Sequence, residues 1–98
     1  MADLKMRVAC RLVPGGWDCH VNLRGESGAT GASDYEVSVS EAELQRFGPE
    51  ASPERLVTES FRFLLAREPS ESIMRRFRLS QIEDYFPEYP AEIGTLLK

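Results

Sequence analysis

One histidine and two cysteines are all the imidazole and thiol chemistry that this 98-residue chain contains. That scarcity excludes most catalytic and metal-binding designs. Asp18 and His20 share a strand face at i,i+2, which supplies two ligands where a structural zinc needs four. A cysteine nucleophile needs a base within hydrogen-bond reach, but alternation along a strand points His20 away from Cys19 and from any residue facing Cys19. His20 therefore reads as a surface residue able to titrate near neutrality. Cys10 and Cys19 read as small hydrophobes packed in a core. No catalytic residue, metal ligand or cofactor-binding residue is assigned, and no cofactor is expected.

Other features are missing as well. No apolar run approaches the ~20 residues needed to cross a bilayer. The opening "MADLKMRVAC" has no signal-peptide core. These absences lead to an expectation of a cytoplasmic protein with no membrane partner and with both cysteines reduced. No internal repeat is visible. The net charge is −4, which opposes general attraction to nucleic acid or anionic lipid. "GESGATGAS", Gly25 to Ser33, is rich in small residues but lacks the Lys-Ser/Thr and following helix of a phosphate loop; it reads as a flexible hairpin connection. What is present is ordinary for one globular domain spanning residues 1–98: 42% hydrophobic and 29% charged residues.

Strand signals come first, over about residues 5–40. Met6, Val8, Cys10 and Leu12 alternate with polar or small residues, as do Trp17, Cys19, Val21 and Leu23. A period of two marks half-buried strands, and Pro14-Gly15-Gly16 between them marks a hairpin turn. Both apolar sets must share a face. A two-residue loop then sets Cys10 opposite Cys19, and a four-residue loop sets Cys10 opposite Val21; a one-residue slip would turn a whole apolar set outward. Tyr35, Val37 and Val39 continue the alternation. The expected unit is a three-stranded antiparallel meander with one wet face.

Helices are expected over about residues 41–97. "SEAE" has the form of a capping box, with Ser40 as N-cap and Glu43 at N3. Ser52 and Pro53 open a longer helix running to about Arg67. Its apolar residues Leu56, Val57, Phe61, Phe63, Leu64 and Leu65 span an arc of roughly 200°, wider than the stripe of a surface helix. Such a helix must be covered twice, once by the sheet and once by the C-terminal segment or a second molecule. Ser70 is expected to cap a short helix bearing Ile73, Met74 and Phe77. Ser80 is expected to open another, with "SQIE" again in capping-box form. Pro87 ends it, and Pro90 begins a last short helix weakened by Gly94. The fold class is thus α+β, a three-stranded sheet followed by a helical half packed on it.

Two stretches carry candidate contacts. In "YFPEYP", Tyr85, Phe86 and Tyr89 can form a partner-binding patch, since aromatics are enriched in interface cores. The competing reading is a corner, with Phe86 packed inward and the tyrosines half-buried with wet hydroxyls. The two prolines between helices favour the corner. "RRFR" supplies Arg75, Arg76 and Arg78, a candidate anion or nucleic-acid contact. The following helix carries Glu83 and Asp84, which would repel phosphates.

The segment "SFRFLLAREPSESIMRRFRLSQIEDYFPEYP", Ser60 to Pro90, resembles the C-terminal part of a group of small uncharacterised bacterial proteins. In these an S-F-x-F-L-L-x-R-E-P-x-x-S-I stretch is followed by Y-F-P-E-Y. The resemblance brings no activity, cofactor or ligand with it. The function expected is a non-enzymatic cytoplasmic protein-interaction module, able to associate with itself. A nucleic-acid-binding regulator using the Arg75–Arg78 cluster is the alternative. A small enzyme or ligand binder with a pocket not visible in the sequence is the third reading.

Overall fold

The structure, a computed structural model, describes residues 4–25 and 32–98. Strands β1 (Leu4–Val13) and β2 (Gly16–Gly25) form a hairpin, and β3 (Ala32–Ser40) pairs antiparallel with β2. Helices α1 (Glu41–Phe47) and α2 (Pro53–Leu65) follow. A 3-10 turn at Ser70–Ser72 leads to β4 (Arg76–Arg78), and α3 (Gln81–Tyr85) and α4 (Tyr89–Leu96) complete the chain. Most of the expected loop, residues 26–31, lies outside the described residues.

The hairpin takes the shorter of the two loops allowed by the alternation. Gly15 adopts φ +83°, the left-handed conformation that a Pro-Gly turn demands. At Gly16 a Cβ would sit 2.1 Å from the Val39 carbonyl oxygen, so this position admits no side chain. The register sets Cys10 opposite Cys19, and the two are joined in a disulfide. The expectation of reduced cysteines is therefore corrected. Alternation places both on the covered face, and a two-residue turn leaves them directly across from each other.

The helical half is not wholly helical. Residues 76–78, expected at the end of a helix, instead extend the sheet to four strands in the order β1-β2-β3-β4, with β4 parallel to β3. The meander of three antiparallel strands is thus corrected to a mixed sheet. The physical cause is long-range. The outer edge of β3 has backbone groups that need partners, and the Glu36 amide donates to the Arg75 carbonyl at 2.7 Å while the Leu79 amide donates to the Ser38 carbonyl at 3.0 Å. In extended form Phe77 and Leu79 both point inward and are buried, whereas Arg76 and Arg78 are exposed.

Caps decide the helix starts. Ser40 and Glu43 make the full capping box, and Ser52 accepts from the Arg55 amide with Pro53 at the first helical position. The box predicted at Ser80 does not form. Ser80 has helical backbone angles and no side-chain cap bond, and its amide donates to Glu43 Oε2 at 2.8 Å. Glu43 therefore serves two elements at once, because its Oε1 accepts from the Ser40 amide at 2.7 Å. Burial alone would raise its carboxyl pKa, but these hydrogen bonds outweigh burial and hold it below the ordinary value.

The core lies between the covered sheet face and α2. Val21, Tyr35, Val37 and Val39 meet Leu56, Val57 and Phe61, all at most 1% exposed. The second side of the wide α2 arc is covered within the chain, by α4.

Candidate functional site

The C-terminal end of α2, the 3-10 turn, β4 and α3 leave a surface groove of about 190 Å³. Its floor is Leu64, Ile73, Phe77, Ile82 and Phe86, and Met74 and Tyr85 stand on its rim. The local sequence explains its shape. Pro69 bars continuation of α2, the 3-10 turn brings Ile73 inward, and strand alternation sends Phe77 to the same interior. Phe86, the C-cap residue of α3, returns the chain toward α2. Tyr85 is 64% exposed and Met74 39%. For a chain with 9% aromatic residues, this is a concentrated apolar surface.

The aromatic stretch divides. Tyr85 faces water, as a docking residue must. Phe86 is half-buried, edge-on to Phe63 with ring centroids 5.7 Å apart. Tyr89 is fully buried, packed against Phe47 at 5.0 Å and Phe63 at 5.3 Å. Its hydroxyl shares a 2.7 Å hydrogen bond with the buried Ser60 hydroxyl, which also donates to the Leu56 carbonyl. Burial pushes the phenol pKa well above its ordinary value, against a smaller opposing effect of the Ser60 bond. The expected half-burial of Tyr89 is corrected, and Tyr89 contributes no surface to a partner site. A polar partner inside α2, Ser60, makes burial of the hydroxyl tolerable.

The arginines divide as well. The Arg75 guanidinium lies 5.4 Å from the Tyr35 ring centroid. Arg76 and Arg78 emerge on the open face of the sheet, around a shallow depression shared with Arg11, Asp18, Glu36 and Gln81. Glu83, thought to oppose phosphate there, is paired with Arg46 at 2.6 Å. By strand alternation Lys5, Arg7 and Arg24 also belong to this face. It thus holds six of the twelve lysines and arginines of an acidic chain. Three carboxylates, Asp18, Asp34 and Glu36, lie among them on the two central strands.

His20 sits between two of those carboxylates. Nδ1 is 2.9 Å from Glu36 and Nε2 is 3.0 Å from Asp34. Both partners only accept, so both contacts are satisfied only by the doubly protonated ring. The hydrogen bonds to Glu36, then Asp34, raise the His20 pKa. Among the described residues no group of three or more His, Cys, Asp or Glu side chains is placed to hold a metal ion.

Sequence reasoning missed Leu64, Met74 and Phe77 as neighbours in one groove, and missed the ladder joining His20 to Asp34 and Glu36. A signal for the first existed: Arg76, Phe77, Arg78 and Leu79 alternate. Compared with known proteins, the chain matches no family model, no curated protein and no solved structure. No helix among the described residues is long and apolar enough to cross a membrane.

Proposed function

We propose that the protein is a non-enzymatic interaction module that receives an apolar side chain of a protein partner in the groove rimmed by Met74 and Tyr85. The observation that supports this reading is the groove itself: an apolar floor, an exposed aromatic and an exposed methionine on one small patch. Exposed apolar patches of this kind mark interaction sites more often than isolated surface hydrophobes do. Methionine adapts its shape to different partners. The test is an NMR titration with short peptides that each carry one leucine or phenylalanine anchor. Shifts confined to the groove residues, and lost in Met74→Glu, are expected; shifts absent from the groove would overturn the reading.

A second reading is favoured by the six cations of the open face, which suit a polyanion such as nucleic acid. Against it stand the three interleaved carboxylates and, among the described residues, the lack of an exposed aromatic there to stack a base. Salt-dependent retention on heparin that falls in Arg76→Glu/Arg78→Glu would favour it. The cytoplasmic setting stays part of the proposal. The Cys10–Cys19 bond weighs against it, since cytosolic thiols keep most such pairs reduced. Thiol trapping on protein taken directly from cells decides the point.

A further inference from the structure

We propose that the outer edge of β1 docks an extended segment of a partner protein as a fifth strand, one in which acidic residues alternate with apolar ones. The proposal goes beyond the groove and is independent of it, because no residue of β1 lines the groove.

The edge is long and open. In the order β1-β2-β3-β4, β1 is an end strand of ten residues. The hairpin decides which of its backbone groups are free. Cys10 and Cys19 have Cα atoms 3.9 Å apart, which matches the closer of the two antiparallel spacings, that of a pair exchanging no backbone hydrogen bonds. Such pairs alternate with hydrogen-bonded ones. Arg7, Ala9 and Arg11 therefore bond to β2, whereas Met6, Val8, Cys10 and Leu12 turn their amides and carbonyls outward. Among the described residues no backbone group of another element bonds to that side. The opposite edge differs. β4 has three residues, and the Arg78 amide donates to Gln81 Oε1 at 2.8 Å. Sheets shorten or cover an edge that must stay unpaired; β4 is treated in this way and β1 is not.

The two faces of β1 specify what can pair with it. On the open face Lys5, Arg7 and Arg11 are exposed. Across the hairpin Lys5 meets Arg24 and Arg7 meets Asn22, so neither gains an acid there, and Arg11 has Asp18 at 3.6 Å. Acids at alternate positions of an added strand would stand beside these cations, and opposite charges directly across a strand pair stabilise it. On the covered face Met6, Val8 and Cys10 are only half-buried, and Leu12 is 76% exposed. Apolar residues at the intervening positions would cover their outer flank. Main-chain bonds then supply affinity, and the alternating side chains supply specificity.

The same charges oppose a second copy as the added strand. Two β1 edges with continuous open faces set Lys5, Arg7, Ala9 and Arg11 against the same four residues, so every register opposes cations to cations or to Ala9. The β4 edge of another copy would bring Arg76 and Arg78, again cations. Like charges directly opposite are destabilising.

The test is amide exchange by NMR on the full oxidised chain. In the free protein the Val8, Cys10 and Leu12 amides should exchange fast, and those of Arg7, Ala9 and Arg11 slowly. A peptide alternating glutamate and valine over the span of Met6 to Leu12 should slow the first set and leave the second unchanged. A peptide alternating lysine and valine should not bind. Lys5→Glu/Arg7→Glu should weaken the glutamate peptide about tenfold, from two cross-strand charge pairs reversed, and admit the lysine peptide. Val8→Pro removes one outward amide and no bond to β2, a position where a sheet edge tolerates proline; it should lose the peptide. Unchanged thermal melts confirm that the variants fold. The proposal is overturned if the outward amides already exchange slowly in the free protein, if they stay fast at millimolar glutamate peptide, if both peptides bind alike, or if the double variant binds like wild type. Slowing that grows with protein concentration alone would make the occupant a second copy and overturn it too. Peptide shifts confined to Met74 and Tyr85 would overturn the edge site and leave the groove reading standing.

Discussion

The seam between α4 and α2 and the groove beside α3 use the same materials and end up as opposites. Each has a tyrosine and phenylalanine neighbours. Tyr89 in the seam is fully buried, whereas Tyr85 at the groove, four residues earlier, is 64% exposed. The difference arises from what lies opposite. The seam offers Tyr89 a hydroxyl at Ser60 and two ring edges. At the groove the Tyr85 ring borders a largely apolar floor and its hydroxyl has no side-chain partner among the described residues. A tyrosine is buried where its hydroxyl has a partner and stays at the surface where it has none. The seam is thus finished within the chain, and the groove is left for something else.

The largest effect should come from Tyr89→Ala, at roughly 3–5 kcal/mol, the range for truncating a large buried aromatic. Denaturant midpoints measure it. A variant that melts within experimental error of wild type would erase the distinction between seam and groove. Tyr89→Phe sharpens the same point: it keeps the packing and loses one hydrogen bond, so about 1 kcal/mol is expected.

Glu43→Ala should cost next most, about 1–3 kcal/mol, because it leaves the Ser40 and Ser80 amides without an acceptor. The two amides begin α1 and α3, so the clamp holds the groove side to the sheet. Its pH dependence has a defined sign. The folded-state pKa is lowered, so the contribution is full above the unfolded value and disappears as pH falls through the folded one. Glu43→Ala should therefore flatten the acid limb of a stability–pH curve. A limb as steep as that of wild type would show that Glu43 is not the titrating clamp.

Phe86→Ala should cost less than Tyr89→Ala, about 1–2 kcal/mol, because the ring is only half-buried and its loss opens the groove rather than an enclosed cavity. The corner reading, with Phe86 packed inward and Tyr89 half-buried with a wet hydroxyl, implies the reverse order. If Phe86→Ala proves the more destabilising, the seam is anchored at the corner and not at Ser60.

The smallest effect should be that of Tyr85→Ala, within about 0.5 kcal/mol in thermal or chemical melts, the usual range for surface changes. Association or peptide binding should fall with no loss of stability. A clear destabilisation would mean that Tyr85 belongs to the fold.

Much of this was legible locally. The alternation from Met6 to Leu23 is long enough to define strands, their shared face and a hairpin with two allowed registers. Ser40-Glu43 and Ser52-Pro53 mark helix starts because capping is a contact between near neighbours in sequence. The 200° arc of α2 required two coverings before either was seen. The alternation from Arg76 to Leu79 is short, and Ile73, Met74 and Phe77 before and within it fit a helical spacing as well as an extended one. "SQIE" satisfies the capping-box pattern, but the Ser80 amide was taken by Glu43, thirty-seven residues away.

The sequence alone thus determined the α+β class, the polarity of the hairpin and the need to bury both sides of α2, because these depend on periods and caps within a few residues. Only the tertiary structure decided that β4 completes the sheet, that Cys10 meets Cys19, that Tyr89 rather than Phe86 is fully buried, and that Arg76 and Arg78 join Lys5, Arg7, Arg11 and Arg24 on one face. Each of these is a pairing between distant segments. Local preference is too weak at such places to choose, and the outcome is set by which partner satisfies an exposed edge, a buried hydroxyl or a free carboxylate oxygen.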